Sequence, residues 1–592
     1  MTETKTTQAD GQIISRLFFR LLPVQILIMA MTSVNSIIDG VMASNLIGPS
    51  AMTVMGLYGP FNFFLPAICN MLLGGSQVLC GRYMGAGRAK ETQGVFSLDL
   101  CLSAGIGAIM SILFILLPGG VSTILGADEA SRAGLMGYVV GMGVGLIPMF
   151  LTQQLSAFLQ MERQSRRSYI GIGVMVVLNA ALDLFLVGTL HMGTLGLGLA
   201  TALSNWAFFA VLWPYFLTKK SSLKFSLASI NWKETASVFK IGFPAAVLML
   251  CCALRSLALN RILLTWSGTD SVAALATLNT ISGLYVALPV AASSVVRMLA
   301  SISYGEEDRE SLLLLMKTVL TKGMLLATAT AVVFFALAAP VASIYFPDTT
   351  SQVYQMTRRI LHIYTAYIPL IMLVNAFPGF YQATGRVTQV TVLSIIDGFL
   401  SVTGFSELLA RPLGADGVWI SHALGIAVVT LMLLVFALIC WKRMPRTLDE
   451  WLLLREDFGV LADQRLDITI HGMDEVMRTS EQVLAFCERQ GVAGKRANYS
   501  ALCMEEMAGN IVKHGFVKDN KKHTADVRVV YKDDTITLRI KDDCVPFNPQ
   551  ERADMVNPED VTHNIGVRMV NRIAKEVEYQ YMMGLNVLTI RL

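Results

Sequence analysis

The sequence predicts an all-α polytopic membrane domain of about twelve helices in two parallel six-helix repeats, followed by a C-terminal α+β sandwich. The first observation is composition: of the 592 residues of the chain, 54% are hydrophobic and only 15% are charged, and the mean hydropathy is +0.55. The second is that charged residues are sparse up to Cys440 and dense from Trp441 onward. The third is a set of sequence matches that recur about 220 residues apart. Together they exclude a soluble globular protein of this size.

The membrane region contains about twelve apolar runs, each long enough to cross a hydrocarbon core about 30 Å thick. Lys and Arg concentrate in alternate connections, which predicts that both termini are cytoplasmic. We expect five regions: a polar tail at 1–11, membrane repeats at 12–220 (N-lobe) and 221–441 (C-lobe), a basic linker along the membrane surface at 442–464, and a soluble domain at 465–592.

The internal repeat is carried by short matches in constant order. Gly48 in the first outer loop matches Gly268, and Gly85 after the second span matches Gly305. Other matches are Leu22-Pro23 with Phe243-Pro244, Phe158 to Gln160 with Phe380 to Gln382, and Gly193 with Gly414. Because an even number of spans returns the chain to the same side, the two halves are parallel. Such an architecture holds a substrate cavity between halves that rock against each other.

Carboxylates inside membrane helices are costly and commonly mark ion or proton routes. Asp39 and Asp183 are the acidic residues expected deep in the first half, and Asn179 lies one turn before Asp183 on the same helix face. With the Thr201 hydroxyl, these groups offer oxygen ligands for Na⁺ or a pair of carboxyls that shares a proton. In the alternative interpretation Asp39 caps a helix or pairs with Asn35 and has no part in transport.

The second half does not repeat these acids. Its expected buried charges are Arg255, Asp397 and Glu407. Since a lone Arg at that depth costs several kcal/mol, we expect an interhelical ion pair between Arg255 and Asp397. The pair is either structural or a contact for an anionic or zwitterionic substrate.

The soluble region alternates strand and helix patterns. A strand is predicted at 466–470, helices at 473–489 and 493–514, a hairpin at 526–531 and 535–541, a helix at 565–574, and strands at 577–581 and 586–590. This order indicates one sheet covered by one layer of helices.

Four stretches of the first repeat identify a family resemblance: Ser33 to Gly40, Gly74 to Gly87, Asn179 to Asp183, and Gly193 to Thr201. Over about residues 12–445 the chain resembles the multidrug and toxic compound extrusion (MATE) transporters. The resemblance implies that Asp39, Asn179, Asp183 and Thr201 form the cation-coupling site, for Na⁺ or H⁺, of an antiporter exporting drug-like or metabolic solutes. It also implies a multi-pass protein of a bacterial inner membrane.

Three boxes of the soluble domain carry a second resemblance: Glu506 to Gly515, Ile540 to Pro549, and Asn564 to Val570. They resemble the GHKL ATPase/kinase superfamily, particularly the serine kinases that act as anti-sigma factors. The resemblance implies bound ATP with Mg²⁺, in which Asn510 holds the metal, Glu506 activates the attacking hydroxyl or water, Asp542 takes the adenine amino group and Gly566 lies near the phosphates. The sequence departs from the family at Cys544, where Gly is expected, and in a shortened phosphate lid.

Two functions remain open at this stage. One is a secondary transporter with a cytoplasmic ATP-binding regulatory domain; the other is a membrane-anchored sensor whose C-terminal domain is a serine/threonine kinase or ATPase. A Walker A loop is absent from the sequence, which disfavours primary ATP-driven export. The expected partners are membrane lipids, a small organic solute, a cytosolic protein bound by the C-terminal domain and a second copy paired through that domain, and no nucleic acid.

Overall fold

We describe residues 3–162, 164–218, 221–518, 523–546, 565–582 and 584–592 of the chain, as given by a computed structural model. Ten described helices are long and apolar enough to cross a membrane, and the number rises to twelve when each of two bent helix pairs counts as one span. These spans divide into six before residue 218 and six after residue 231. The expected two-repeat helical membrane domain is confirmed.

The described residues of the first half form nine helices: α1 (Glu3–Leu46), α2 (Pro49–Tyr58), α3 (Phe61–Gly85), α4 (Ala89–Leu116), α5 (Pro118–Ile124), α6 (Glu129–Val144), α7 (Leu146–Met161), α8 (Ser165–Leu182) and α9 (Gly193–Phe216). The second contains α10 (Thr235–Trp266), α11 (Thr269–Tyr285), α12 (Ala287–Gly305), α13 (Arg309–Thr318), α14 (Met324–Tyr345), α15 (Gln352–Ala366), α16 (Ile368–Ala383), α17 (Val387–Ile395), α18 (Ser401–Leu413) and α19 (Ala415–Trp441). Short π-helical segments continue α8, α13 and α17 at Asp183–Thr189, Val319–Gly323 and Ile396–Leu400.

The repeated glycines occupy equivalent places in the two halves. Gly48 and Gly268 each directly precede a helix, and their φ angles are positive, 102° for Gly48 and 78° for Gly268. Gly193 and Gly414 likewise have positive φ angles of 58° and 57°. A side chain is strained in that left-handed region, which explains why the chain uses Gly at both members of each pair.

The third helix of each half ends on the other half. A Cβ added to Gly85, at the end of α3, would stand 2.0 Å from the carbonyl oxygen of Ile302, and one added to Gly305, at the end of α12, would stand 2.1 Å from that of Arg82. Arg82 also donates from Nε to the carbonyl oxygen of Ala383 at 2.9 Å. The lobes are therefore in close contact on the face that carries the C-terminal domain, which we call the docking face.

In the part of the C-terminal domain that the structure describes, five strands form an antiparallel sheet in the order β1-β2-β3-β5-β4. Its strands are β1 (Arg465–Ile470), β2 (Ala525–Lys532), β3 (Thr535–Asp542), β4 (Glu576–Met582) and β5 (Leu585–Arg591). Three helices cover one face: α21 (Met473–Arg489), α22 (Gly494–Asn510), which continues as a π-helical turn at Ile511–Gly515, and α23 (Ile565–Ile573). The predicted elements agree with these bounds to within a few residues.

Strand alternation divides the sheet into two faces. Val527, Leu538 and Leu588 point into the core beneath the helices. Val587, one position along β5, instead packs with the buried residues of the membrane domain. The face of the sheet that lacks helices is thus covered by the docking face.

The linker contains a short helix, α20 (Leu448–Trp451), and then enters the protein. Leu452 to Leu454 are buried with the core of the membrane domain. The Tyr381 hydroxyl donates to the carbonyl oxygen of Trp451 at 2.7 Å, and Arg386 Nη2 donates to that of Leu453 at 2.6 Å. Because these leucines are buried under the second half, the expectation that the linker lies along the membrane surface is wrong for this part.

Candidate functional sites

A polar cluster lies inside the first half, where α1, α8 and α9 meet. Asn179 Nδ2 donates to Asp39 Oδ1 and, at 3.4 Å, to Asp183 Oδ2. Asn35 Nδ2 donates to the second oxygen of Asp39 at 3.2 Å, and the Ser204 hydroxyl donates to Asn179 Oδ1 at 3.2 Å. Three of the four residues expected from the sequence, Asp39, Asn179 and Asp183, are thus brought together around one amide.

Thr201, the fourth expected residue, faces its own helix. Its hydroxyl donates to the carbonyl oxygen of Leu197 at 3.2 Å, one turn earlier on α9. Its main-chain oxygen accepts from the Ser204 hydroxyl at 2.8 Å, so Thr201 is joined to the cluster through Ser204. Its role as a cation ligand stays a prediction.

The cluster contains polar atoms that have no partner. Asp183 Oδ1 and Asn35 Oδ1 are buried and accept no hydrogen bond from any described residue. Tyr138, on α6, is buried close enough to Asp39 and Asp183 to interact electrostatically with both. A buried oxygen without a donor is costly, and a proton or a cation would satisfy it.

Sequence reasoning missed Ser204 and Tyr138 of this site and a further buried acid. Ser204 lies three residues after Thr201 on the same helix face. That spacing is the sequence signal from which Ser204 could have been found. Asp99, on α4, is fully buried beside Ser76, whose hydroxyl instead donates to the Leu72 carbonyl oxygen at 2.8 Å. The described part of the first half therefore contains more buried acidic residues than the two that the sequence predicted.

In the second half, Arg255 contacts the main chain of Asp397. Its Nη1 donates to the Asp397 carbonyl oxygen at 2.9 Å, and its Nη2 lies 3.6 Å from Cys252 Sγ. Asp397 belongs to the π-helical segment Ile396–Leu400, and such segments release main-chain carbonyls from the α-helical pattern. The Asp397 carboxylate is near enough to interact electrostatically with Arg255, and an ion pair between them stays a prediction.

Two other charges differ from expectation. Glu407 is an exposed residue 3.9 Å from Arg411 on the same helix, so it is not a buried charge of the second half. The Lys and Arg residues of the alternating pattern include Arg297, but this residue lies inside α12. There its Nε donates to Gln77 Oε1 at 3.0 Å and its Nη1 donates to Gln382 Oε1 at 3.4 Å. Gln77 belongs to the first half and Gln382 to the second, so this half-buried arginine joins the lobes.

The candidate nucleotide site lies at the helical side of the C-terminal sheet. Glu506 and Asn510 are one turn apart on α22, and a Cβ added to Gly566 on α23 would stand 2.0 Å from Glu506 Oε2. Asp542 ends β3, where its Oδ1 accepts from Asn586 Nδ2 at 2.7 Å and from the Cys544 amide at 3.0 Å. Burial raises the pKa of Asp542, against the lowering effect of these two donors.

Cys544, which replaces the expected glycine, is buried at the edge of this site. Its carbonyl oxygen accepts from Asn586 Nδ2 at 3.2 Å. A Cβ added to Gly515 would stand 3.1 Å from its sulfur, so the thiol occupies the space beside the end of α22. Phe547 to Pro549 of the expected adenine box and Asn564 of the lid lie outside the described residues.

A two-repeat helical membrane domain with buried carboxyls, joined to a helix-covered antiparallel sheet, defines a membrane transporter fused to an ATPase-like domain. The chain belongs to the MatE family, which matches residues 25–185 and 244–403, once in each half. Residues 473–592 match the Histidine kinase-like ATPase domain. Both resemblances drawn from the motifs are thus confirmed.

Relatives and solved structures agree with this assignment. The chain is 22% identical over 446 residues to probable multidrug resistance protein NorM of Halalkalibacterium halodurans, covering 72% of this chain and 94% of that one. It is 21% identical over 429 residues to probable multidrug resistance protein YoeA of Bacillus subtilis, covering 69% and 90%. A crystal structure of MATE in complex with MaL6 aligns with a TM-score of 0.66 at 20% identity over 71% of this chain and 96% of that one. An outward-facing MATE family multidrug resistance transporter aligns with a TM-score of 0.66 at 19% identity, over 71% and 94%.

Proposed function

We propose that this transporter is a cation-coupled antiporter that exports drug-like or metabolic organic solutes, with Na⁺ or H⁺ as the coupling ion. The observation that carries the proposal is the cluster in which Asn179 donates to both Asp39 and Asp183. Two neighbouring carboxylates in a buried site repel each other. A proton or a cation bound between them relieves this repulsion, so the pair favours one bound positive charge.

A bound proton or cation would satisfy the Asp183 oxygen that accepts no hydrogen bond from the described residues. Asn179 holds one oxygen of each acid, so neutralising either carboxyl changes the hydrogen bonding that joins α1 to α8. The coupling ion can thereby bias the packing of helices in the first half, which is the kind of change that alternates access in a rocking transporter. The names of the relatives, which include multidrug export protein MepA of Staphylococcus saprophyticus, support organic solutes as cargo.

The C-terminal domain is the regulatory part of this proposal. The alternating Lys and Arg content of the connections supports cytoplasmic termini, and this places the domain where ATP is available. Asp542, Asn510 and Glu506 are the residues expected at the adenine, the Mg²⁺ and the attacking group.

The test is efflux from proteoliposomes under separate Na⁺ and H⁺ gradients, with cationic dyes as probes. Asp39→Asn and Asp183→Asn are expected to lose gradient-driven flux, whereas Glu129→Gln, an exposed acid of the same half, should keep it. Gradient-driven flux that survives both substitutions would refute the proposed coupling site.

The sensor kinase is the second candidate, and the contact between Glu506 and Gly566 favours it because it places the expected activating carboxylate beside the expected phosphate-binding helix. Solute-dependent phosphorylation of a cytosolic protein, lost in Glu506→Ala, would support it. Efflux that is unchanged in Glu506→Ala would leave transport as the primary function.

A further inference from the structure

Two of the loops that contact the C-terminal domain are related by the internal repeat but differ in charge. The N-loop, residues 85–90, follows α3 and carries Arg88 and Lys90. The C-loop, residues 305–310, follows α12 and carries four acids: Glu306, Glu307, Asp308 and Glu310. A single basic surface can therefore form ion pairs with one loop and not with the other.

The face of the C-terminal sheet that lacks helices is such a surface, and it forms four ion pairs with the C-loop. They are Lys541–Glu306 at 2.7 Å, Lys532–Glu307 at 2.5 Å, Arg528–Asp308 at 2.5 Å and Arg465–Glu310. Asp308 is only 3% exposed, and although burial opposes its ionisation, Arg528 holds the pKa of this carboxyl below its usual range. Buried, geometrically close pairs of this kind are costly to break.

The linker strengthens the same attachment. Arg309, which begins α13, pairs with Asp449, and its Nη1 donates to the carbonyl oxygen of Arg455 at 2.8 Å. The Tyr304 ring stacks on Phe458 with centroids 4.7 Å apart. The linker and the sheet thus hold the same end of the second half.

Contacts with the N-loop are of another kind. Arg539 Nη2 donates to the carbonyl oxygen of Gly85 at 2.8 Å, and Arg591 Nη2 donates to that of Ala86 at 2.5 Å. A Cβ added to Gly87 would stand 3.3 Å from that of Thr589. In the part of the chain that the structure describes, no ion pair joins the N-loop to the sheet.

We propose that the ATPase-like domain is fixed to the second half of the transporter and that its contact with the N-loop is a detachable lock on the docking face. While the sheet holds both loops, the ends of α3 and α12 stay together, and this face stays closed. Opening requires the sheet to release the N-loop, because the four ion pairs and the linker move the domain with the second half. This inference rests on the proposed rocking transport and deepens the regulatory role of the domain.

The test joins the domain to each loop in turn, in the full-length chain with its native cysteines replaced. Gly87→Cys with Thr589→Cys forms a disulfide across the N-loop contact, and Glu307→Cys with Lys532→Cys, joined by a short bifunctional thiol reagent, bridges the C-loop contact. We expect the N-loop bridge to remove efflux and a reductant to restore it, and the C-loop bridge to leave efflux unchanged. The single-cysteine variants control for strain at Gly87, whose φ is 71°.

Equal efflux with and without the N-loop bridge would overturn the proposal, as would equal inhibition by both bridges. If the unbridged protein shows no flux of any probe, the proposed function fails but the lock remains testable by distance. Spin labels at Arg88 and Lys575, both exposed, should then give two distance populations that shift between ion gradients, and labels at Glu307 and Lys532 one population. A single unchanged distance for the first pair would also overturn it.

Discussion

Gly85→Ala should push the two halves apart on the docking face. The added methyl would stand 2.0 Å from the Ile302 carbonyl oxygen, whereas carbon contacts are comfortable at about 3.5 Å, so the ends of α3 and α12 must separate by more than an ångström. Overpacking of this kind costs about 1–3 kcal/mol. If the open state removes the contact, that free energy shifts the closed-to-open ratio by about 5–150-fold.

The assay is pulsed electron spin resonance between labels at Lys90 and Lys317, exposed residues near the ends of α4 and α13. Gly85→Ala should increase the population with the longer distance. Gly105→Ala is the matched control, because a Cβ at that helical position meets nothing within 4 Å. Identical distance distributions for the two variants would refute the argument that this glycine contact closes the docking face.

Three further outcomes are expected. Asp308→Asn should lower the free energy of unfolding by about 1.5–3 kcal/mol in urea titrations at pH 7, because Arg528 loses a charged partner. Since the folded-state pKa of Asp308 is lowered, this loss of stability should shrink only as pH falls below the ordinary carboxyl value of about 4. Glu578, on β4, interacts with the main chain of Ala89 in the N-loop, and burial and Glu576 raise the pKa of its carboxyl to about 6. Because protonation is then favoured in the docked state, the N-loop contact should be stronger at pH 5 than at pH 8. Glu578→Gln should abolish that dependence in the label distances, with Arg591 and Glu91 as the other charges nearby. Asp542→Asn should weaken binding of a fluorescent ATP analogue, measured by titration, whereas Asp533→Asn, in an exposed turn, should not.

The sequence predicted the architecture well because its signals are periodic and local. Apolar run length identifies membrane helices, and the strand and helix patterns of residues 465–592 survive as β1 to β5 and α21 to α23. The site was predicted where spacing decides proximity, because Asn179 and Asp183 are one turn apart. Asp39, on another helix, was predicted from its place inside a membrane helix, and the family resemblance joined it to the other two.

The other features of the site and of the docking face could not be predicted, because they depend on tertiary contacts that sequence spacing does not encode. Thr201 has the right position but turns its hydroxyl to the Leu197 carbonyl, while Ser204 reaches Asn179. Arg297 could not be separated from loop cations because its partners lie on helices of both halves. The docking of the sheet on the two loops arises from side chains that are more than 200 residues apart, such as Arg528 and Asp308.

The most direct test of the account is solute efflux driven by a cation gradient in proteoliposomes that contain wild-type protein, Asp39→Asn, Asp183→Asn or Glu129→Gln. The account predicts gradient-driven efflux for wild type and Glu129→Gln and its loss in both aspartate variants. Efflux at the wild-type rate in Asp39→Asn and Asp183→Asn would contradict it.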